Sequence, residues 1–144
     1  KAVAVAEKIK TEHVNKMNCC IIAADTVVVL DNTIMGKPVD RADAIQSLTK
    51  LSGKTHEVIT GVVVLFEKQI HSFIQKTKVT FNSLTTDQIE YYVEKYKPFD
   101  KAGAYAIQEW IGVIGIASIE GDFYNVMGLP VSKLVALLKD IKAM

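Results

Sequence analysis

Apolar residues recur along this chain with a period that changes from block to block, and the changes divide it into elements. Ala2, Val5, Ala6 and Ile9 fall at i, i+3, i+4 and i+7 and predict a first helix. Cys19–Ala24 is a continuous apolar run that Val27–Leu30 continues in β-branched residues, predicting a strand buried on both faces that stops at the turn signal Asp31-Asn32. Asp40 is placed to cap a second helix with Ala44, Ile45, Leu48 and Leu51 on one face, and Gly53 stands where a left-handed residue ends it. Glu57–Phe66 and Ile70–Phe81 read as a strand hairpin joined near Glu67–Gln69. Thr85 with Gln88 forms a capping box for a third helix, with Ile89, Tyr92, Val93 and Tyr96 inward, that must stop before Pro98. Asp100–Trp110 reads as a loop or short-strand region and Val113–Ile119 as a strand. Pro130 and Ser132 open a last helix with Leu134, Leu137, Leu138 and Ile141 on one face. This order predicts one α/β domain over 1–144, a mixed twisted sheet flanked by helices. The alternation is too irregular for a doubly wound nucleotide fold.

Composition narrows the function. Lys+Arg 17 against Asp+Glu 16, with no dense basic run, argues against a polymeric nucleic-acid partner. The apolar runs are far shorter than the roughly 20 residues that cross a bilayer, and the opening stretch is unlike a signal peptide, so a cytoplasmic protein is expected. Cys19 and Cys20 are neighbours, poorly placed to bridge each other, and read as small core residues. The chain starts with Lys1 inside a helical pattern, which leads to the expectation that part of a longer protein precedes it.

Asp25 is the first residue with chemistry to explain. Between CCIIAA and VVVL, a carboxylate cannot sit unpaired in the core, because burying it alone costs several kcal/mol. Either the strand delivers it to a cleft, a metal or a set of donors, or it caps a turn between two strand segments. Lys37, in Met35-Gly36-Lys37-Pro38, and Lys101, in Asp100-Lys101-Ala102-Gly103, are either phosphate contacts or solvated loop lysines. Gln108 offers a donor and an acceptor, suited to the edge of a base or to a backbone group. Leu51-Ser52-Gly53-Lys54-Thr55 imitates a phosphate-binding loop, but Leu48 stands where the first glycine is required and the helix precedes it. His13, His56 and His71 lack zinc spacing. What remains, carboxylates and lysines in glycine-containing loops, suits phosphoryl chemistry with a divalent cation.

Five segments in register, Ala24–Val29, Gly36–Pro38, Leu51–Val58, Asp100–Gln108 and Val126–Pro130, together resemble the Maf family across nearly the whole chain. The resemblance implies a fold like that of the inosine triphosphatase group, with a central cleft. It also implies a nucleoside triphosphate pyrophosphatase that releases a monophosphate and pyrophosphate with a divalent metal, Mg or Mn. Position by position, Asp25 matches the family's proton acceptor and a metal contact. Thr26 and Gln108 match base-selecting positions, and Lys1, Lys37 and Lys101 match lysines of the phosphate path. Ala24-Asp25-Thr26 paired with Ala104–Gln108 resembles the dTTP/UTP branch. A homodimer and a link to septum formation also come with the family.

Family members open with a strand, a Ser/Pro/Arg/Arg-type loop and an acidic residue before the lysine matched by Lys1, and these residues do not contain them. On that reading this polypeptide alone is expected to be inactive and the complete protein active. Glu109-Trp110 follows Gln108 where Gly is common, and is expected to reshape the base pocket. The competing readings are a catalytically inactive nucleotide-binding or septum-associated regulatory protein and a purine-directed pyrophosphatase.

Overall fold

A computed structural model describes residues 19–67 and 69–144. The first helix expected over Ala2–Ile9, and Lys1, lie outside the described residues.

The apolar run resolves into β1 (Ile21–Leu30), which turns at Asp31 and Asn32, both at positive φ, into the short strand β2 (Thr33–Met35). Helix α1 (Arg41–Leu51) begins where the Asp40 carboxylate accepts the Asp43 N–H at 2.9 Å and ends at Gly53 with φ +69°. Strands β3 (Thr55–Phe66) and β4 (Gln69–Phe81) form the long hairpin. Helix α2 (Thr86–Tyr96) has the full capping box: Gln88 N–H donates to Thr85 Oγ1 at 3.2 Å, and Thr85 N–H to Gln88 Oε1 at 2.9 Å. Left-handed Lys97 closes it before Pro98. A 3-10 turn (Ala102–Ala104), α3 (Trp110–Gly115), β5 (Ile116–Glu120), α4 (Phe123–Val126) and α5 (Val131–Asp140) complete the described order.

The sheet runs β2-β1-β3-β4-β5, and every described pairing is antiparallel. The fold is the expected mixture of sheet and flanking helices. The buried residues of β3 (His56, Val58, Thr60, Val62, Val64) alternate, so one sheet face carries the packed interior. One end of that face packs Val28, Leu30, Val58, Val79 and Phe81 under Leu48, Leu51, Ile89 and Tyr92 of the helices. The other packs Val62 and Val64 under Leu134 of α5.

Three local expectations are corrected. Residues 113–119 are not one strand: Val113 lies on α3 and the strand begins at Ile116, because a β-branched run interrupted by glycine is compatible with either period. The start of β1 is not buried on both faces, and Ile22, Ala24 and Asp25 are exposed. Cys19 is exposed and only Cys20 packs against the smaller cluster. None of the described helices is long and apolar enough to cross a membrane.

Candidate active site

Strand β2 pairs with β1 only from Val28 to Leu30, so the edge of β1 around Asp25 is left open by the described strands. A cleft of about 280 Å³ occupies that edge. Its walls are Asp25 and Thr26 of β1, Lys37 beyond β2, Asp100 and Lys101 beyond α2, Tyr105 and Gln108 of the next loop, and Met127-Gly128 before α5. Ala24, Val28, Val58 and Val126 add apolar surface. Of the six residues singled out in the sequence, five line this cleft, and Lys1 lies outside the described residues.

Each wall is held by identifiable bonds. Thr26 sits across from Thr60 on β3, and their hydroxyls are 2.8 Å apart. Thr26 Oγ1 also lies 3.4 Å from the Gly128 carbonyl, and Thr60 Oγ1 lies 3.4 Å from that of Asn125. The shared contact consumes one hydroxyl proton, so only one of the two carbonyl contacts is filled at a time. Buried Asn125 donates to the Val58 carbonyl and to Thr77 Oγ1, both at 3.0 Å. Thr77 Oγ1 exchanges bonds of 3.1 Å with the backbone of Asp122. This polar row fastens residues 122–128 onto the sheet.

The lysine loops are tied to each other. Gly103 N–H donates to the Gly36 carbonyl at 3.1 Å, joining the turn before Lys37 to the turn after Lys101. Gly103 is required there: its φ is +69°, and a Cβ would come within 3.2 Å of the Val28 side chain. Lys101 Nζ donates to Asp100 Oδ2 at 2.8 Å. That bond, with a smaller contribution from the Lys37 charge, holds the Asp100 carboxyl below its ordinary range.

Tyr105 joins cleft to core. Its hydroxyl is 2.7 Å from His56 Nε2, and its ring stands edge-on to Phe81 with centroids 5.0 Å apart. Burial lowers the His56 pKa to about 4 and keeps the ring neutral. His56 Nδ1 has no hydrogen-bond partner among the described residues, so a second ring N–H would have no acceptor there. Burial pushes the Tyr105 phenol upward.

The charged side chains lining the described cleft are two lysines and two aspartates, which balance. A polyphosphate placed here needs further positive charge. The carboxylates of Asp25 and Asp100 are the hard oxygen donors that Mg²⁺ or Mn²⁺ accepts. No group of three or more His, Cys, Asp or Glu that would hold a metal gathers among the described residues. The donor set therefore fits a cation that shares its shell with phosphate oxygens and water, and not a closed protein cage. The sequence alone assigns no site role to Asp100 or Tyr105. The signal for Asp100 is its place beside Lys101, and Tyr105 carries the same pattern as any other core aromatic.

The family of Maf-like proteins matches residues 1–141. The chain belongs to the Maf family. It is 49% identical over 135 residues to the dTTP/UTP pyrophosphatase of Porphyromonas gingivalis, covering 94% of this chain and 68% of that protein. It is 54% identical over 121 residues to the dTTP/UTP pyrophosphatase of Phocaeicola vulgatus, covering 84% of this chain and 63% of the relative. With the dTTP/UTP pyrophosphatase of Cytophaga hutchinsonii the identity is 55% over 115 residues, covering 80% and 53%. The chain thus spans roughly half to two thirds of the length of these Maf relatives.

Proposed function

We propose that this Maf chain carries the cleft of a nucleoside triphosphate pyrophosphatase acting on dTTP and UTP. The observation that carries the reading is the convergence of Asp25, Thr26, Lys37, Lys101 and Gln108, from separate parts of the chain, on one cleft. Membership of the Maf family and relatives of about 50% identity named for this activity support it.

In this mechanism Lys37 and Lys101 hold the phosphates, and Thr26 and Gln108 face the base. Asp25 takes a proton from a water molecule as its oxygen attacks the α-phosphorus, and the bond from that phosphorus to the α–β bridging oxygen breaks. The products are a nucleoside monophosphate and pyrophosphate, whose charge the lysines stabilise as it leaves. Pyrophosphatases of this family generally depend on a metal. Asp25, with Asp100 in reach of the same space, would hold it, and a bound divalent cation supplies charge neutralisation on the phosphates. The reading carries a free nucleotide as substrate, no polymeric nucleic acid, a cytoplasmic setting and a homodimer.

The test is pyrophosphate release by the full-length protein from dTTP, UTP, dCTP, ATP and GTP with Mg²⁺ or Mn²⁺. Turnover of dTTP and UTP above the others is expected. A folded protein that hydrolyses none of them contradicts the proposal.

A further inference from the structure

Gln108 is the exposed tip of a tight turn. The Glu109 N–H donates to the Ala106 carbonyl at 3.1 Å, which makes Ile107 and Gln108 the central pair of a four-residue turn. Both ends of that turn meet one atom. The Tyr92 hydroxyl accepts the Ala106 N–H at 3.1 Å and donates its own proton to the Glu109 carboxylate. The phenol has one proton to give and lone pairs to receive, so a single hydroxyl closes the base of the turn from both sides.

The hydroxyl is itself fixed. Tyr92 is fully buried on α2 and stacks on Tyr96 with ring centroids 5.0 Å apart. Burial and the Glu109 bond raise its pKa, so it stays a donor. Helix α3 also presses directly on the turn: a Cβ on Gly112 would stand 1.7 Å from the Ile107 carbonyl oxygen. The turn is thereby braced by contacts with α2 and with α3, while the Gln108 side chain stays exposed at the cleft.

We infer that Tyr92 and Glu109 are positioning residues that set nucleotide selectivity by locking the Gln108 turn, without touching the nucleotide. The inference rests on Gln108 facing the base. The choice among bases then depends on a hydroxyl behind the cleft wall, because a turn free to swing loses the angular preference of its amide for one base edge.

The experiment compares Tyr92→Phe, Glu109→Ala and Glu109→Gln with the unaltered full-length protein. The first readout is hydrogen exchange of the Ala106 amide without nucleotide, and the second is kcat and KM for dTTP and dCTP. Tyr92→Phe keeps the ring and removes both bonds. It is expected to speed Ala106 exchange about tenfold while leaving the core amides of α1 unchanged. It should raise KM for dTTP about 5- to 10-fold, lower the preference for dTTP over dCTP by a similar factor, and move kcat less than KM. Glu109→Ala removes only the second bond and should shift exchange and preference in the same direction by a smaller factor, and Glu109→Gln, whose amide oxygen still accepts the phenol proton, should restore selectivity. The Glu109 pair also decides the matter if Tyr92→Phe does not fold. Unchanged exchange at Ala106, or faster exchange with an unaltered preference, overturns the inference. If the unaltered protein hydrolyses no nucleotide, the functional reading fails, and the exchange arm still reports on the clamp.

Discussion

The two apolar clusters on the packed face of the sheet differ in how completely they close. Under α1 and α2, Leu48, Leu51, Tyr92 and Ile111 lose all contact with solvent, and the Tyr105 ring stands edge-on to those of His56 and Phe81. Under α5, Val62, Val64 and Leu134 are buried, but Leu137, Leu138 and Ile141 are only partly so. Between them runs a seam of polar side chains, Thr26, Thr60, Thr77 and Asn125, hydrogen-bonded to one another or to the loop above. Apolar clusters hold the two ends of the sheet, and the hydroxyl row holds the middle. The cleft lies beside this seam: its lysine and glutamine loops rest on the closed cluster, and its Gly128 loop is fastened by the seam itself.

That difference is open to measurement. Leu48→Ala removes a fully buried side chain from the closed cluster and should cost about 3–5 kcal/mol in denaturant unfolding. The acid response belongs to the same cluster. Folded His56 stays neutral down to about pH 4, whereas an unfolded histidine takes its proton near pH 6.5. Between those values the unfolded chain binds more protons, so stability falls as pH drops through that window, by on the order of 2–3 kcal/mol. Thermal unfolding of a His56→Gln variant should lack this slope between pH 6.5 and 4. Leu134→Ala, in the open cluster, should cost less, about 2 kcal/mol. A cost equal to that of Leu48→Ala would break the comparison. Thr60→Val removes one hydroxyl from the seam and should cost about 1 kcal/mol, because the Asn125 carbonyl keeps the Gly128 N–H at 3.0 Å.

What could be read from the sequence follows the range of the interactions. The Asp40 cap, the Thr85 and Gln88 box, the stop before Pro98 and the turn at Asp31-Asn32 depend on residues a few positions apart, and all are in place. Around Val113 the apolar period fits helix and strand alike, and β2 and α4 are too short to leave a pattern. The continuous apolar run Cys19–Ala24 says nothing about which face is covered, and its exposed positions follow from tertiary packing alone. Asp25 was legible as the polar break in such a run. Asp100 was not, since a charged loop looks alike whether it faces solvent or a cleft. The Tyr92 hydroxyl joining Ala106 to Glu109 is a tertiary contact with no local signature.

The role given to Asp25 is tested most directly by pyrophosphate release from dTTP by the full-length protein and its Asp25→Asn form, with nucleotide binding measured beside it. The account predicts that the variant binds dTTP nearly as well and releases pyrophosphate about 10²- to 10⁴-fold more slowly. Release at the unaltered rate would contradict it.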